Sequence, residues 1–169
     1  VNFGIVYGIG DFSLAKDLKI SRKEAKNYID TYFERYPGVK KYLDDAIEQA
    51  KEKLYVTTVM NRRRFIPEIK ASNKMVRSFG ERLAMNTPIQ GSAADIIKLA
   101  MVNVYDELRK RNLNSKLILQ VHDELILNVD KEELEEVKAI VKKEMEEVLD
   151  LRVPLEVDIN IGRNWYEAK

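Results

Sequence analysis

Leu117-Ile-Leu-Gln-Val-His-Asp-Glu-Leu-Ile-Leu-Asn-Val129 sets two apolar runs, rich in branched side chains, on either side of His122, Asp123 and Glu124. Runs of this length bounded by turn formers read as strands, so the segment predicts a buried β-hairpin with a polar turn. A carboxylate at the tip of such a hairpin is costly to desolvate unless something positive meets it. Two adjacent carboxylates and an imidazole there suit a hard divalent cation and phosphate chemistry. A solvated tip accounts for the same residues, since Asp and His are ordinary turn formers. The segment alone leaves both readings open.

The flanking sequence is mostly helical. Asp130 and Glu133 are placed to cap an amphipathic helix with Leu134, Val137, Ile140, Val141, Met145 and Val148 on one face. Leu155, Val157, Ile159 and Ile161 then alternate with Glu156, Asp158 and Asn160, which predicts a half-buried strand. Upstream, a long helix is expected from about Gly91 to Arg111, and another from Ser72 carrying Met75, Val76, Phe79 and Leu83 inward. Pro88 between them interrupts or kinks the run, because its ring removes a backbone donor. Leu54 to Val59 and Arg64 to Ile66 predict a second hairpin around Met60-Asn61. Ser21 with Glu24 is a capping-box signature ahead of a helix with Ala25, Tyr28, Ile29, Tyr32 and Phe33 at helical spacing. Tyr36-Pro37-Gly38 breaks it, and a further helix follows with Val39, Tyr42, Leu43, Ala46, Ile47 and Ala50 on one face. The sum is an α+β fold, a small antiparallel sheet backed by helices.

The chain has 169 residues, 45% hydrophobic and 34% charged, which fits one soluble globular domain with a sizeable core. No apolar run is long enough to span a bilayer and no secretory signal opens the chain. Absence of cysteine excludes disulfides and thiolate metal sites, and fits a reducing cytosol. The first residues, Val-Asn-Phe-Gly, lack an initiating Met, so the sequence reads as a piece of something longer. The net charge of +1 hides an asymmetry. Arg62 to Arg82 holds seven basic residues against two acids, and Asp130 to Asp150 nine acids against four lysines. The basic stretch is the electrostatic footprint of a phosphate-backbone contact, with Arg62, Arg63 and Arg64 at its start. A solvated helix face is the plainer account, and it suffices for the acidic stretch.

Two further constellations stand out. Arg82, Asn86 and Gln90 are spaced by four, so a continuing helix puts them on one face. Such donors suit base edges and sugars in a groove, although a polar stripe on a surface helix reads the same way. Phe3 and Tyr7, one helical turn apart among Gly4, Gly8 and Gly10, offer a stacking face for bases or ordinary core packing.

Asn2-Phe-Gly-Ile-Val-Tyr-Gly8, Asn86-Thr-Pro-Ile-Gln-Gly-Ser-Ala-Ala-Asp95 and Leu119-Gln-Val-His-Asp-Glu-Leu125 occur in that order and at suitable separations. On these motifs, with Arg62-Arg-Arg-Phe-Ile-Pro67 and Val157-Asp-Ile-Asn-Ile-Gly162, the whole chain resembles the C-terminal part of family A, polymerase I-like, DNA-dependent DNA polymerases. The resemblance implies a fingers-like portion over residues 1–75 and a palm-like portion over 76–169, without thumb or first palm strand. It implies DNA-templated addition of deoxynucleotides to a primer 3′-hydroxyl by two-metal phosphoryl transfer, in replication or repair. Asp123, with Glu124 beside it, matches the palm carboxylates that hold Mg²⁺, two ions in the intact polymerase. His122 matches a residue beside the primer terminus. Phe3, Tyr7 and Gly8 match the fingers helix that closes on the nascent base pair. Arg82, Asn86 and Gln90 match residues that touch the duplex through its minor groove, and Arg62, Arg63 and Arg64 join them as DNA contacts. The implied partners are primer-template DNA and deoxynucleoside triphosphates, in the bacterial cytoplasm at the nucleoid.

The family's other palm carboxylate lies upstream of the fingers and is not in this sequence, and its triphosphate-binding Lys and Arg would fall just before Val1. Asp158 is no substitute, because on an alternating strand it belongs to the wet face. The expectation is therefore a polymerising parent and an inactive isolated chain, whose open palm edge seeks the missing portion or a second copy. Two rivals remain from the residues alone: a non-catalytic duplex-binding module, and a helical assembly domain built on Tyr28 and Tyr42. A metal-dependent nuclease would also use paired carboxylates.

Overall fold

The computed structural model describes Gly4 and residues 7–168, which pack as two units, one ending at Ser92 and the other beginning at Ala93. Both combine helices with a two-stranded antiparallel sheet, the α+β class that the sequence predicts.

In the first unit α1 (Asp11–Leu18) ends on Lys19 in the left-handed region, and α2 (Arg22–Arg35) begins at Ser21. Ser21 and Glu24 close the expected capping box: Glu24 N–H donates to Ser21 Oγ at 3.2 Å and Ser21 N–H to Glu24 Oε2 at 2.9 Å. Leu14, Ala15 and Ala25 form a small core between these helices, with Ile9, Ile20 and Ile29 against it. Pro37 sits in the first turn of α3 (Pro37–Lys53), where its missing donor has no intrahelical partner to lose. Leu43, Ala46 and Ala50 of α3 are buried.

The predicted hairpin follows as β1 (Tyr55–Thr57) and β2 (Arg63–Phe65), with Tyr55 opposite Phe65, Val56 opposite Arg64 and Thr57 opposite Arg63. Its loop is closed by Thr58 N–H donating to the Arg62 carbonyl at 3.0 Å and Arg62 N–H to Thr58 Oγ1 at 3.2 Å. Val56, Ile66, Ile69, Ala50 and Ala84 make the core beneath it.

Helix α4 (Lys74–Lys110) corrects two expectations. It runs through Pro88 as one helix of 37 residues instead of two. Of the large apolar line expected inward near the hairpin, only Leu83 packs against the core. Met75 is 81% exposed, and Val76 and Phe79 are exposed too. Gly80, Ala84 and Thr87 are buried instead. At about 100° per residue these three share a side of the helix with Gly91, while Met75 lies nearly opposite. The helix comes so close to the 3₁₀ turn Pro67–Lys70 that a Cβ on Gly80 would sit 2.7 Å from Ile69 N. Only a residue as small as glycine allows that approach, and Leu83 packs at its edge while Met75 points away.

In the second unit Val104 and Leu108 of α4 pack with Val137, Ile140 and Val141 of α5 (Leu134–Glu146). The opening hairpin is present as β3 (Lys116–Val121) and β4 (Glu124–Asn128). It is not buried. Leu117, Leu125 and Leu127 face the core, but no hairpin residue is fully enclosed, and Ile118 is 60% exposed. A two-stranded sheet with helices on one face leaves its other face open. Glu133 does not cap α5: its carboxylate accepts from Asn114 N at 2.8 Å and from Ser115 N and Oγ at 2.9 and 2.6 Å. Helix α5 ends before Val148. Residues 155–161 form no strand, although Leu155, Val157 and Ile159 are half-buried and Glu156, Asp158 and Asn160 exposed. Among the described residues no neighbour pairs with this segment in a sheet. Val157 N–H donates to Glu146 Oε1 at 3.0 Å instead.

Candidate nucleic-acid interface and acidic hairpin

Gly8 adopts φ +77°, a conformation open to glycine at little cost, and the end of the Met85 side chain occupies the space a Cβ would need. Arg82, one turn of α4 before Met85 and Asn86, brings its stem within 3.7 Å of the same point. The result is an open concavity of about 490 Å³ lined by Tyr7, Gly8, Ser13 and Arg82 together with Gly4 and Ile9. Tyr7, Gly8 and Arg82 thus come together. Phe3 lies outside the described residues. The Arg82 guanidinium is exposed, 6.0 Å from the Phe79 ring centroid and 3.4 Å from Ser78 Oγ, so the rim of the concavity is cationic.

Arg82, Asn86 and Gln90 follow one another along a flank of α4, each stepping about 40° around the axis. Arg82 and Gln90 are exposed. Asn86 is half-buried, and its Oδ1 is buried with no hydrogen-bond partner among the described residues. An amide oxygen in that state carries a desolvation cost that a ligand donor could relieve.

Arg62, Arg63 and Arg64 are exposed at the end of the hairpin loop and along β2. The loop ahead of them is tied to the helix: Val59 N–H donates to Ser92 Oγ at 2.9 Å, and that hydroxyl donates to the Pro88 carbonyl. Sequence reading assigned nothing to Ser92, Gly80 or Met85. Small residues recurring with Gly80, Ala84, Thr87 and Gly91 at helical spacing were the available signal.

In the second unit His122 and Asp123 form a two-residue turn, with His122 at φ +53° and its carbonyl accepting from Gln120 Nε2 at 2.6 Å. Glu124 belongs to β4, opposite Val121, and not to the turn. All three side chains are exposed. Two adjacent exposed carboxylates are a suitable donor set for one side of a hard cation's shell. Among the described residues no group of three or more His, Cys, Asp or Glu is placed to hold a metal ion, so an ion at Asp123 or Glu124 would take its remaining oxygens from elsewhere. No helix of the described residues is long and apolar enough to cross a membrane.

A sequence model of DNA polymerase family A matches residues 1–167. The chain is 60% identical to the DNA polymerase I of Lactococcus lactis subsp. cremoris (strain MG1363) and 56% identical to that of Geobacillus stearothermophilus. Each alignment covers 100% of this chain and 19% of the relative, so the chain spans about a fifth of the length of these curated relatives. Among solved structures, the POL domain of Pol1 from M. smegmatis, in complex with DNA primer-template and dNTP, superposes with a TM-score of 0.97 at 46% identity. That match covers 99% of this chain and 30% of the other.

Proposed function

The chain belongs to DNA polymerase family A, and we propose that it supplies the nucleotide-facing and primer-facing residues of a DNA-directed DNA polymerase. The reaction is templated transfer of a deoxynucleotide from its triphosphate to a primer 3′-hydroxyl. The observation that carries the reading is the meeting of Tyr7, Gly8 and Arg82 around one cationic concavity. Tyr7 offers a ring to the templating base and Gly8 the close backbone approach. Phe3 would face the incoming nucleotide. Residues 1–75 then act as the fingers-like portion and 76–169 as the palm-like portion.

Arg82, Asn86 and Gln90 are suited to the minor groove, whose acceptors are nearly the same for all base pairs, so contact there senses correct pairing without reading sequence. Arg62, Arg63 and Arg64 add phosphate contacts, and His122 lies beside the primer end. Asp123 and Glu124 would hold Mg²⁺. When bound, such ions activate the primer hydroxyl and neutralise the leaving pyrophosphate. Alone, with no metal-holding cluster among its described residues, the chain binds DNA without extending a primer. The outer edges of β3 and β4, which pair with no other strand among the described residues, are filled by the remaining polymerase portion. The setting is the bacterial cytoplasm, in replication or repair.

Titration with labelled primer-template tests this. Arg82→Ala and Gln90→Ala should each weaken binding about equally for unrelated duplex sequences, by roughly 1 kcal/mol. Absence of duplex binding at low salt would overturn it.

A further inference from the structure

We propose that the outer face of the β1–β2 hairpin binds an unpaired DNA strand, one base stacking on Phe65 while Arg63 meets its phosphates. This rests on the reading of the chain as a DNA-binding polymerase part and names a contact outside the Tyr7–Arg82 concavity.

The register decides which side chains are available. Tyr55, Thr57, Arg63 and Phe65 share one face, since paired residues point the same way and neighbours alternate. Val56 on the opposite face is fully buried, so the Tyr55 face is the outer one. The Arg63 guanidinium lies 4.9 Å from the Tyr55 ring centroid, and Tyr55 meets Phe65 edge-on at 5.8 Å and 66°. Tyr55 is therefore occupied as a support, orienting both neighbours. Phe65 is 69% exposed. A large apolar ring held open on a strand gains from being covered, and the exposed Arg63 on the same face selects a polyanion. A duplex hides the faces of its bases, whereas an unpaired strand presents them for stacking. The hairpin is held as a fixed platform by Val59 N–H to Ser92 Oγ at 2.9 Å and Ile66 N–H to the Leu54 carbonyl at 2.8 Å.

Fluorescence anisotropy with the 169-residue chain, labelled oligo(dT) and a blunt duplex tests the proposal. Phe65→Ala should weaken oligo(dT) binding about 5- to 150-fold, from stacking energies of roughly 1–3 kcal/mol per base, and leave duplex binding within about twofold. Phe65→Trp should restore it and Phe65→Leu should not. Arg63→Gln should lower the salt slope on oligo(dT) by about 0.7. Unchanged oligo(dT) binding in Phe65→Ala, or full oligo(dT) binding in Phe65→Leu, would overturn the stacking assignment while leaving the polymerase reading standing. Failure of the unaltered chain to bind either DNA would sink both.

Discussion

Val59 donates its backbone N–H to the Ser92 hydroxyl at 2.9 Å, which ties the loop of the basic hairpin to helix α4. The same hydroxyl donates to the Pro88 carbonyl one turn back, a common placement for a helical serine. Ser92→Ala should therefore loosen the hairpin by about 0.5–1.5 kcal/mol. Hydrogen exchange would read this as roughly threefold to tenfold faster exchange at Val59, with Ser92→Thr close to the parent. Unchanged exchange in Ser92→Ala would contradict the tie.

Gly80 opposes two effects. Alanine favours a helix interior by about 1 kcal/mol over glycine, yet its Cβ here would lie 2.7 Å from Ile69 N and 2.9 Å from the Glu68 carbonyl carbon. Backbone cannot swing aside as a side-chain end can, so overpacking of about 1–3 kcal/mol should win. Urea unfolding should find Gly80→Ala less stable than the parent, and a stabilised variant would show that the helix is free to retreat.

Glu133 makes stability depend on pH. Hydrogen bonds from Ser115, then from the Asn114 backbone, hold its carboxyl below the ordinary carboxylate range, with the Ser115 backbone adding to them. A carboxylate lowered on folding stabilises the fold fully above its unfolded value, and that contribution fades as pH falls through the folded value. Unfolding midpoints measured downward from pH 6 should drop below about pH 4.5, and Glu133→Gln should flatten that acid limb. An identical acid limb in Glu133→Gln would remove this network from the account.

How much of this was legible in the sequence varied with the range of the interaction. The Ser21–Glu24 box is local, and both side chains do what their spacing predicts. Both hairpins were visible in turn residues and apolar runs, although the burial of β3–β4 was overestimated, since its runs alone do not say how many faces are covered. The α4 surface was misread because Met75 and Phe79 carry the apolar signal, whereas Gly80 and Ala84 carry the contact. The run 155–161 keeps its alternation in exposure from Leu155 to Asn160 and loses it at the exposed Ile161, and a strand needs a partner, which is a property of distant sequence. For the candidate site, the motifs singled out Tyr7, Arg82 and Asp123 separately, and only the structure brought Tyr7 to Arg82.

The central claim is that Asp123 serves phosphoryl transfer and not DNA affinity. Primer extension with Mg²⁺, by a polymerase carrying this chain with and without Asp123→Ala, tests it most directly. Extension should fall on the order of 100- to 1,000-fold, from a metal contribution of several kcal/mol, while primer-template affinity stays within about threefold. Extension at the parent rate, or an equal loss of extension and DNA binding, would contradict the account.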